Sequence, residues 1–227
     1  ISIDANLVAD SSINGLDFNL TGTNLYVSQG RMIDVTGASN GSDGAKVNLN
    51  FSSLIRNDGT IRSNGKNYTS GTGGEINIVT PEINGTGLFQ ANGGNSRLGP
   101  GRQVCYYKGG NGGSINVLSE LFDNFDGSYS VKGGCTSYSN SSKYGEDGFV
   151  YLFDGKNLII DNNSTMSLGD SNIGDIETIT VKNNGSLTIE TGSNLLVNSI
   201  TTESGSELIV NGLIAAGTID FQGGEIS

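Results

Sequence analysis

A seven-residue segment recurs along this chain, and its recurrence sets narrow limits on the fold. It reads Gly59-Thr-Ile61-Arg-Ser63-Asn-Gly65, then Gly87-Leu-Phe89-Gln-Ala91-Asn-Gly93, then Gly127-Ser-Tyr129-Ser-Val131-Lys-Gly133. A degenerate earlier copy is Arg31-Met-Ile33-Asp-Val35-Thr-Gly37. Apolar or small residues alternate with polar ones, so each segment reads as a short strand with one buried face. A Gly-rich loop follows each, and then a second strand. Those strands are Ala45-Lys-Val47-Asn-Leu49, Gly74-Glu-Ile76-Asn-Ile78, Gly113-Ser-Ile115-Asn-Val117 and Gly148-Phe-Val150-Tyr-Leu152. A third apolar element comes next, at Leu54-Ile55, Ile83, Leu121-Phe122 and Leu158-Ile159.

Three short strands in constant order, with no hairpin-like reversal signal, predict the stacked coils of a parallel β-helix. Ile61, Phe89 and Tyr129 should then stack one per coil, and Ile76, Ile115 and Val150 should form a second ladder. The last third repeats more plainly, at a spacing of about 20 residues. Asn163-Ser-Thr-Met166-Ser-Leu168 aligns with Asn184-Gly-Ser-Leu187-Thr-Ile189, and loosely with Ser204-Gly-Ser-Glu-Leu208-Ile209. With 36 Gly and no window of 3.6-residue apolar period, almost no helix is expected. The expected fold is all-β: a parallel β-helix (β-solenoid) with its Gly-rich loops on one side. A β-sandwich is the alternative, but it would not naturally repeat strand-loop-strand units in one order. Three segments are expected: 1–30 as an N-terminal cap or donated strand, 31–160 as the Gly-rich solenoid, and 161–227 as a solenoid of short regular coils.

The pattern Gly-x-(Ile/Phe/Tyr)-x-(Ser/Ala/Val)-x-Gly, a Gly-rich loop, then Gly-Gly-x-Ile-x-(Ile/Val) resembles a Gly-rich repeat module of large microbial surface proteins. That resemblance covers about residues 30–160 and implies a right-handed parallel β-helix of adhesin or filament type. It speaks to architecture, not to activity.

Charge and composition exclude several function classes. The chain carries 23 Asp and Glu against 12 Lys and Arg, a net −11, and has no basic face for nucleic acid. The apolar runs are far too short for a membrane-spanning helix. No signal peptide is visible and the chain starts at Ile1, as a processed chain or a fragment would. There is no His, so His-based triads and His metal sites are ruled out. The nearest acidic grouping, Asp123, Asp126, Glu146 and Asp147 with Lys132 and Lys143 in range, reads as turn chemistry. Gly-Gly-Asn-Gly-Gly-Ser at 109–114 lacks the Asp of a calcium-binding nonapeptide and the Lys of a phosphate loop. No catalytic residue, metal site or cofactor is expected.

The expected function is an extracellular or cell-surface structural subunit that self-assembles into a filament, sheath or surface layer. A glycan-binding adhesin segment is the first alternative, and a polysaccharide-acting β-helix enzyme the second. Strand-like sequence at Ile1 and Ile3 and at Gly217-Thr-Ile219-Asp-Phe221 makes other copies of the chain the expected partners, joined through the chain ends; glycans are the other class. Candidate N-glycosylation sequons are Asn19, Asn40, Asn67, Asn84, Asn140, Asn162, Asn163 and Asn184, with Asn50 a poorer one just after a strand. Tyr106, Tyr107, Tyr138 and Tyr144 cluster on the two longest loops, as aromatics that could contact a ligand or pack the loops down.

Cys105 and Cys135 fall in the loops of the third and fourth units. Stacked coils send these loops out on the same side, and a secreted chain meets an oxidising compartment, so an intrachain disulfide is expected. Closing a loop of about 30 residues stabilises by roughly 3–4 kcal/mol in the chain-entropy model. Intact mass after alkylation, with and without reduction, tests the pairing: label should enter only after reduction, and two thiols alkylated without it would rule the disulfide out.

Overall fold

The computed structural model describes residues 1–3, 7–8, 17–39, 41–67, 70–96, 108–121, 125–134, 145–154, 156–161, 165–168 and 176–227. These are all-β, with no helix among them. They form two compact units, Ile1–Gly148 and Phe149–Ser227.

Among the described residues ten strands build the first unit: β1 (Ser2–Ile3), β2 (Leu7–Val8), β3 (Phe18–Val27), β4 (Met32–Asp34), β5 (Lys46–Asn57), β6 (Thr60–Arg62), β7 (Glu75–Asn84), β8 (Leu88–Gln90), β9 (Ser114–Leu121) and β10 (Ser128–Ser130). Odd strands pair in the order β1-β3-β5-β7-β9 and even strands in the order β2-β4-β6-β8-β10. Every one of these pairs is parallel. Such pairing argues against the β-sandwich alternative, whose sheets are antiparallel.

The recurring heptads lie in register. Ile33 pairs with Ile61, Ile61 with Phe89, and Phe89 with Tyr129. Ile33, Ile61 and Phe89 are fully buried. The Phe89 and Tyr129 rings stack with centroids 5.8 Å apart, and Phe125 packs against both. On the other sheet Val47, Ile76 and Ile115 align in the same way.

Two expectations about the repeat are corrected. The second and third elements are not separate strands in the first and second repeats: β5 and β7 each run through both. β5 carries one more residue than β3 and β7 where pairing shifts between Phe51 and Leu54. Exposed Ser52 and Ser53 lie between buried Phe51 and Ile55 at this irregularity, so both arms still face the core.

The fourth repeat departs as well, since its second and third elements reverse on each other: in the second unit β11 (Phe149–Phe153) pairs antiparallel with β12 (Asn157–Asp161), setting Val150 opposite Asp161. Asp154 makes this reversal, its Oδ1 accepting the Lys156 backbone N–H at 2.8 Å. The remaining strands are β13 (Thr165–Leu168), β14 (Thr178–Val181), β15 (Ser186–Ile189), β16 (Asn194–Glu203), β17 (Glu207–Val210), β18 (Leu213–Gln222) and β19 (Glu225–Ile226). Parallel pairing joins β12-β14-β16-β18 and β13-β15-β17-β19. Leu158, Ile160, Ile179, Val181, Leu187, Ile189, Ile200 and Leu208 fill the space between the two sheets.

Polar side chains stack as strictly as apolar ones. Asn19, Asn48, Asn77 and Asn116 occupy one register position on β3, β5, β7 and β9. Asn48 Nδ2 donates to Asn19 Oδ1 at 2.7 Å, Asn77 to Asn48 at 2.9 Å, and Asn116 to Asn77 at 2.9 Å. Each amide therefore satisfies its neighbour along the sheet.

The Gly-rich loops leave and return as bare backbone. Gly94 donates its N–H to Gly71 O, Gly110 to Gly94, Gly134 to Gly110, and Gly145 to Gly134, at 2.7–3.1 Å. No side chain fits between legs so close: a Cβ at Gly110 would lie 2.0 Å from Gly71 O. This close approach accounts for the Gly run at 109–113 without any ligand. Gly110→Ala should therefore cost about 3 kcal/mol, the upper end for overpacking. Gly22→Ala, whose Cβ would meet only the Phe51 ring edge at 3.2 Å, should cost clearly less. Urea unfolding of the two variants checks this, and equal midpoints would show that the legs are not tightly packed.

Candidate functional site

The inward positions of the second unit are buried layer by layer until β18 and β19. Leu195 and Ile200 on β16 are 1 % and 0 % exposed, and Leu208 on β17 is 0 %. Their register partners are Ile214, Ile219 and Ile226. Ile219 is 42 % exposed, Ile226 54 %, and Phe221, paired with buried Thr202, 39 %. The residues have the same character as those below them; what differs is the lack of a covering strand. β18 pairs only with β16, and β19 only with β17, among the described residues. Leu213 and Leu196 add exposed apolar surface on the outer side. This layer offers unpaired backbone groups and uncovered apolar side chains together.

Its electrostatics are one-sided. Residues 183–227 contain Glu190, Glu203, Glu207, Asp220 and Glu225 and no Lys or Arg. Residues 1–30, which include edge strands β1 and β2, contain Asp4, Asp10 and Asp17 and again no Lys or Arg. Ile1 and Leu7 are exposed there.

Several sequence-derived candidates fall outside the described residues: Cys105 and Cys135, Tyr106, Tyr107, Tyr138 and Tyr144, and the sequon residues Asn40, Asn140, Asn162 and Asn163. Asn67 and Asn184 stand exposed at turns, Asn184 with φ 63°. Asn84 ends β7 and donates its amide to Glu82 Oε1 at 3.0 Å. Asn19 lies within β3 at one end of the asparagine ladder.

Of the acidic grouping, Asp123 and Lys143 lie outside the described residues. Asp147 Oδ1 accepts the Gly133 backbone N–H at 2.7 Å, and Glu146 reaches Lys108 at 3.4 Å. Both carboxylates thus serve the Gly-rich legs. Among the described residues no group of three or more His, Cys, Asp or Glu could hold a metal ion. No helix there is long and apolar enough to cross a membrane.

Sequence reasoning passed over a polar cluster on the outer face of the even-strand sheet. Asp34 and Arg62 hold the same register position on β4 and β6. Arg62 Nη2 donates to Asp34 Oδ2 at 2.6 Å, and the Thr36 backbone N–H donates to Asp34 Oδ1 at 3.1 Å. Burial pushes the Asp34 carboxyl up, but the bonds from Arg62 and Thr36 together outweigh it, and the group titrates below the usual carboxylate range. The recurrence of charged or amide residues at that heptad position was the available signal.

No protein-family model, no curated protein and no solved structure matches this chain.

The Asp34–Arg62 pair sets a pH dependence. Because the folded pKa of Asp34 is lowered, the pair's stabilisation is present above the unfolded value of about 3.9 and is lost as pH falls through the folded one. Arg62→Gln should cost about 1 kcal/mol at neutral pH, as suits a partly exposed pair. The difference from the parent should vanish at low pH, where Asp34 is protonated in both. Urea unfolding over a pH series tests it; a constant difference down to the most acid point would contradict this origin.

Proposed function

We propose that the chain is a non-catalytic structural subunit of an extracellular or cell-surface assembly, built as a parallel β-solenoid and stacking with copies of itself into a filament, sheath or surface layer. What carries the reading is the β18–β19 layer, where Ile219, Phe221 and Ile226 repeat the core positions of the layer below yet stay exposed. A further parallel strand would satisfy the edge N–H and C=O groups and cover these side chains in one step. A second open edge, in the first unit, is that of β1 and β2, also strands with a single partner. The two surfaces differ, so the contact is heterologous, and a heterologous contact whose rotation does not close gives linear growth. Sequons on exposed turns, Asn67 and Asn184, suit a glycosylated surface protein. A chain without His has no side chain that titrates near neutrality at its unperturbed pKa, which favours structure over hydrolysis or elimination chemistry.

Both surfaces are acidic, so association should strengthen as salt screens their repulsion. The Debye length falls from about 30 Å at 0.01 M to about 8 Å at 0.15 M ionic strength. Sedimentation and electron micrographs of the purified chain across that range should show monomer giving way to linear assemblies. The double variant Phe221→Glu, Ile226→Glu should stay folded and monomeric at every salt concentration, and so should a chain lacking residues 1–12. A parent chain that remains monomeric throughout, or variants that assemble as it does, would overturn the reading.

A further inference from the structure

On the outer face of the even-strand sheet, where the chain leaves β6 and β8 for the Gly-rich legs, lies a cleft of about 340 Å³. That volume is within the range of small-molecule sites, about 300–1,000 Å³. Its lining is unusual in kind. Arg62, Asn64, Lys66, Asn67 and Asn92 line it, together with Thr36, Asn95 and glycine backbone, and neither a carboxylate nor an aliphatic or aromatic side chain does. In a chain of net charge −11, a cleft with no lining acid and a lysine in no ion pair among the described residues stands apart.

Hydrogen bonding fixes which way its amides face. Asn64 Oδ1 accepts the Asn92 backbone N–H at 2.8 Å, and Asn67 Oδ1 accepts that of Asn95 at 2.7 Å. Asn92 Oδ1 accepts the Lys132 backbone N–H at 2.7 Å and the Ser130 hydroxyl at 2.9 Å. A backbone N–H can only donate, so these amides cannot be turned over without losing a bond. Their acceptor sides are therefore spent on the fold. Asn64 Nδ2 is spent too, on Gln90 Oε1 at 2.8 Å. The Asn67 and Asn92 NH2 groups donate to none of the described residues, and Lys66 forms no ion pair among them. Arg62 is paired through Nη2, but its Nε is buried without an acceptor. What these side chains have left to give is donors only.

We propose that this cleft binds a uronate-containing saccharide. A ligand for a donor-rich site must be rich in acceptors. Lys66 matches a carboxylate, and the Asn67 and Asn92 amides match neutral hydroxyl oxygens beside it. A compact, highly charged anion fits less well, because it would use the cations alone and meet the repulsion of the whole acidic chain. A sugar acid spreads one charge among many hydroxyls. The proposal is independent of self-assembly, since the cleft lies within the first unit and uses no residue of the β18–β19 layer.

The test is titration of the full chain, produced without N-glycosylation because a glycan on Asn67 would occupy the cleft. Trigalacturonate, the neutral trisaccharide of the same linkage and inorganic sulfate are compared by calorimetry and by amide chemical shifts. Trigalacturonate should bind, with the other two at least about tenfold weaker. Lys66→Gln should weaken trigalacturonate by about tenfold at unchanged melting temperature, while Lys46→Gln, on the other sheet and paired with Glu75, should not. No binding of trigalacturonate at millimolar concentration would overturn the proposal, as would unchanged affinity in Lys66→Gln. Equal binding of the neutral sugar would remove the carboxylate from the argument, and equal binding of sulfate would remove the saccharide.

Discussion

Backbone groups in one repeat find their partners in the next, and everything else in the first unit is arranged around that requirement. Parallel strands stand about 4.8 Å apart, so whatever occupies a position in one repeat sits directly on its counterpart. Ile33, Ile61 and Phe89 can share one buried column because apolar contacts tolerate such stacking. Asn48 and Asn77 can share an outer one because an amide both donates and accepts. A shift of one residue would exchange the two faces, burying the amides and exposing the core. The Gly-rich legs carry the same requirement beyond the strands, at a spacing where only a missing side chain lets one carbonyl reach the next N–H.

The same logic explains where reactive surface is left over. A layer is satisfied by its neighbours, so the β18–β19 layer, which no described strand covers, keeps Ile219 and Ile226 exposed above buried Ile200 and Leu208. The outer-face cleft arises differently. There the stacking consumes amide oxygens to hold the next repeat's backbone and leaves amide N–H groups behind. A donor-rich surface thus emerges from residues whose oxygens hold the next repeat's backbone.

The heptads made the parallel columns legible, since Ile61, Phe89 and Tyr129 align in sequence as they do in space. The reversal at Asp154 was legible in principle: Asp154-Gly155 between two alternating runs is a hairpin signal, and the preceding repeats drew attention away from it. The run from Phe51 to Ile55 was harder, because one extra residue in β5, with Ser52 and Ser53 both exposed, looks like a gap between two strands. The β18 strand and its openness to a further strand could be foreseen, but how far each of its side chains stays exposed could not, for burial depends on what lies above it. The donor character of the cleft was beyond sequence altogether. Asn64 and Asn92 recur at matched positions, yet only their hydrogen bonds tell which end of each amide is occupied.

The asparagine ladder has a further consequence. A row of amides, each giving one hydrogen bond and taking one, has a direction: Asn19 is reached only as an acceptor, and Asn116 acts only as a donor. Among the described residues this leaves an idle N–H pair at one extremity and an idle carbonyl at the other. Like a row of magnets laid end to end, such a row can be extended by another running the same way and is mismatched by one turned around. The sense of the chain is in this way written on its outer surface, in side chains, as well as in its backbone.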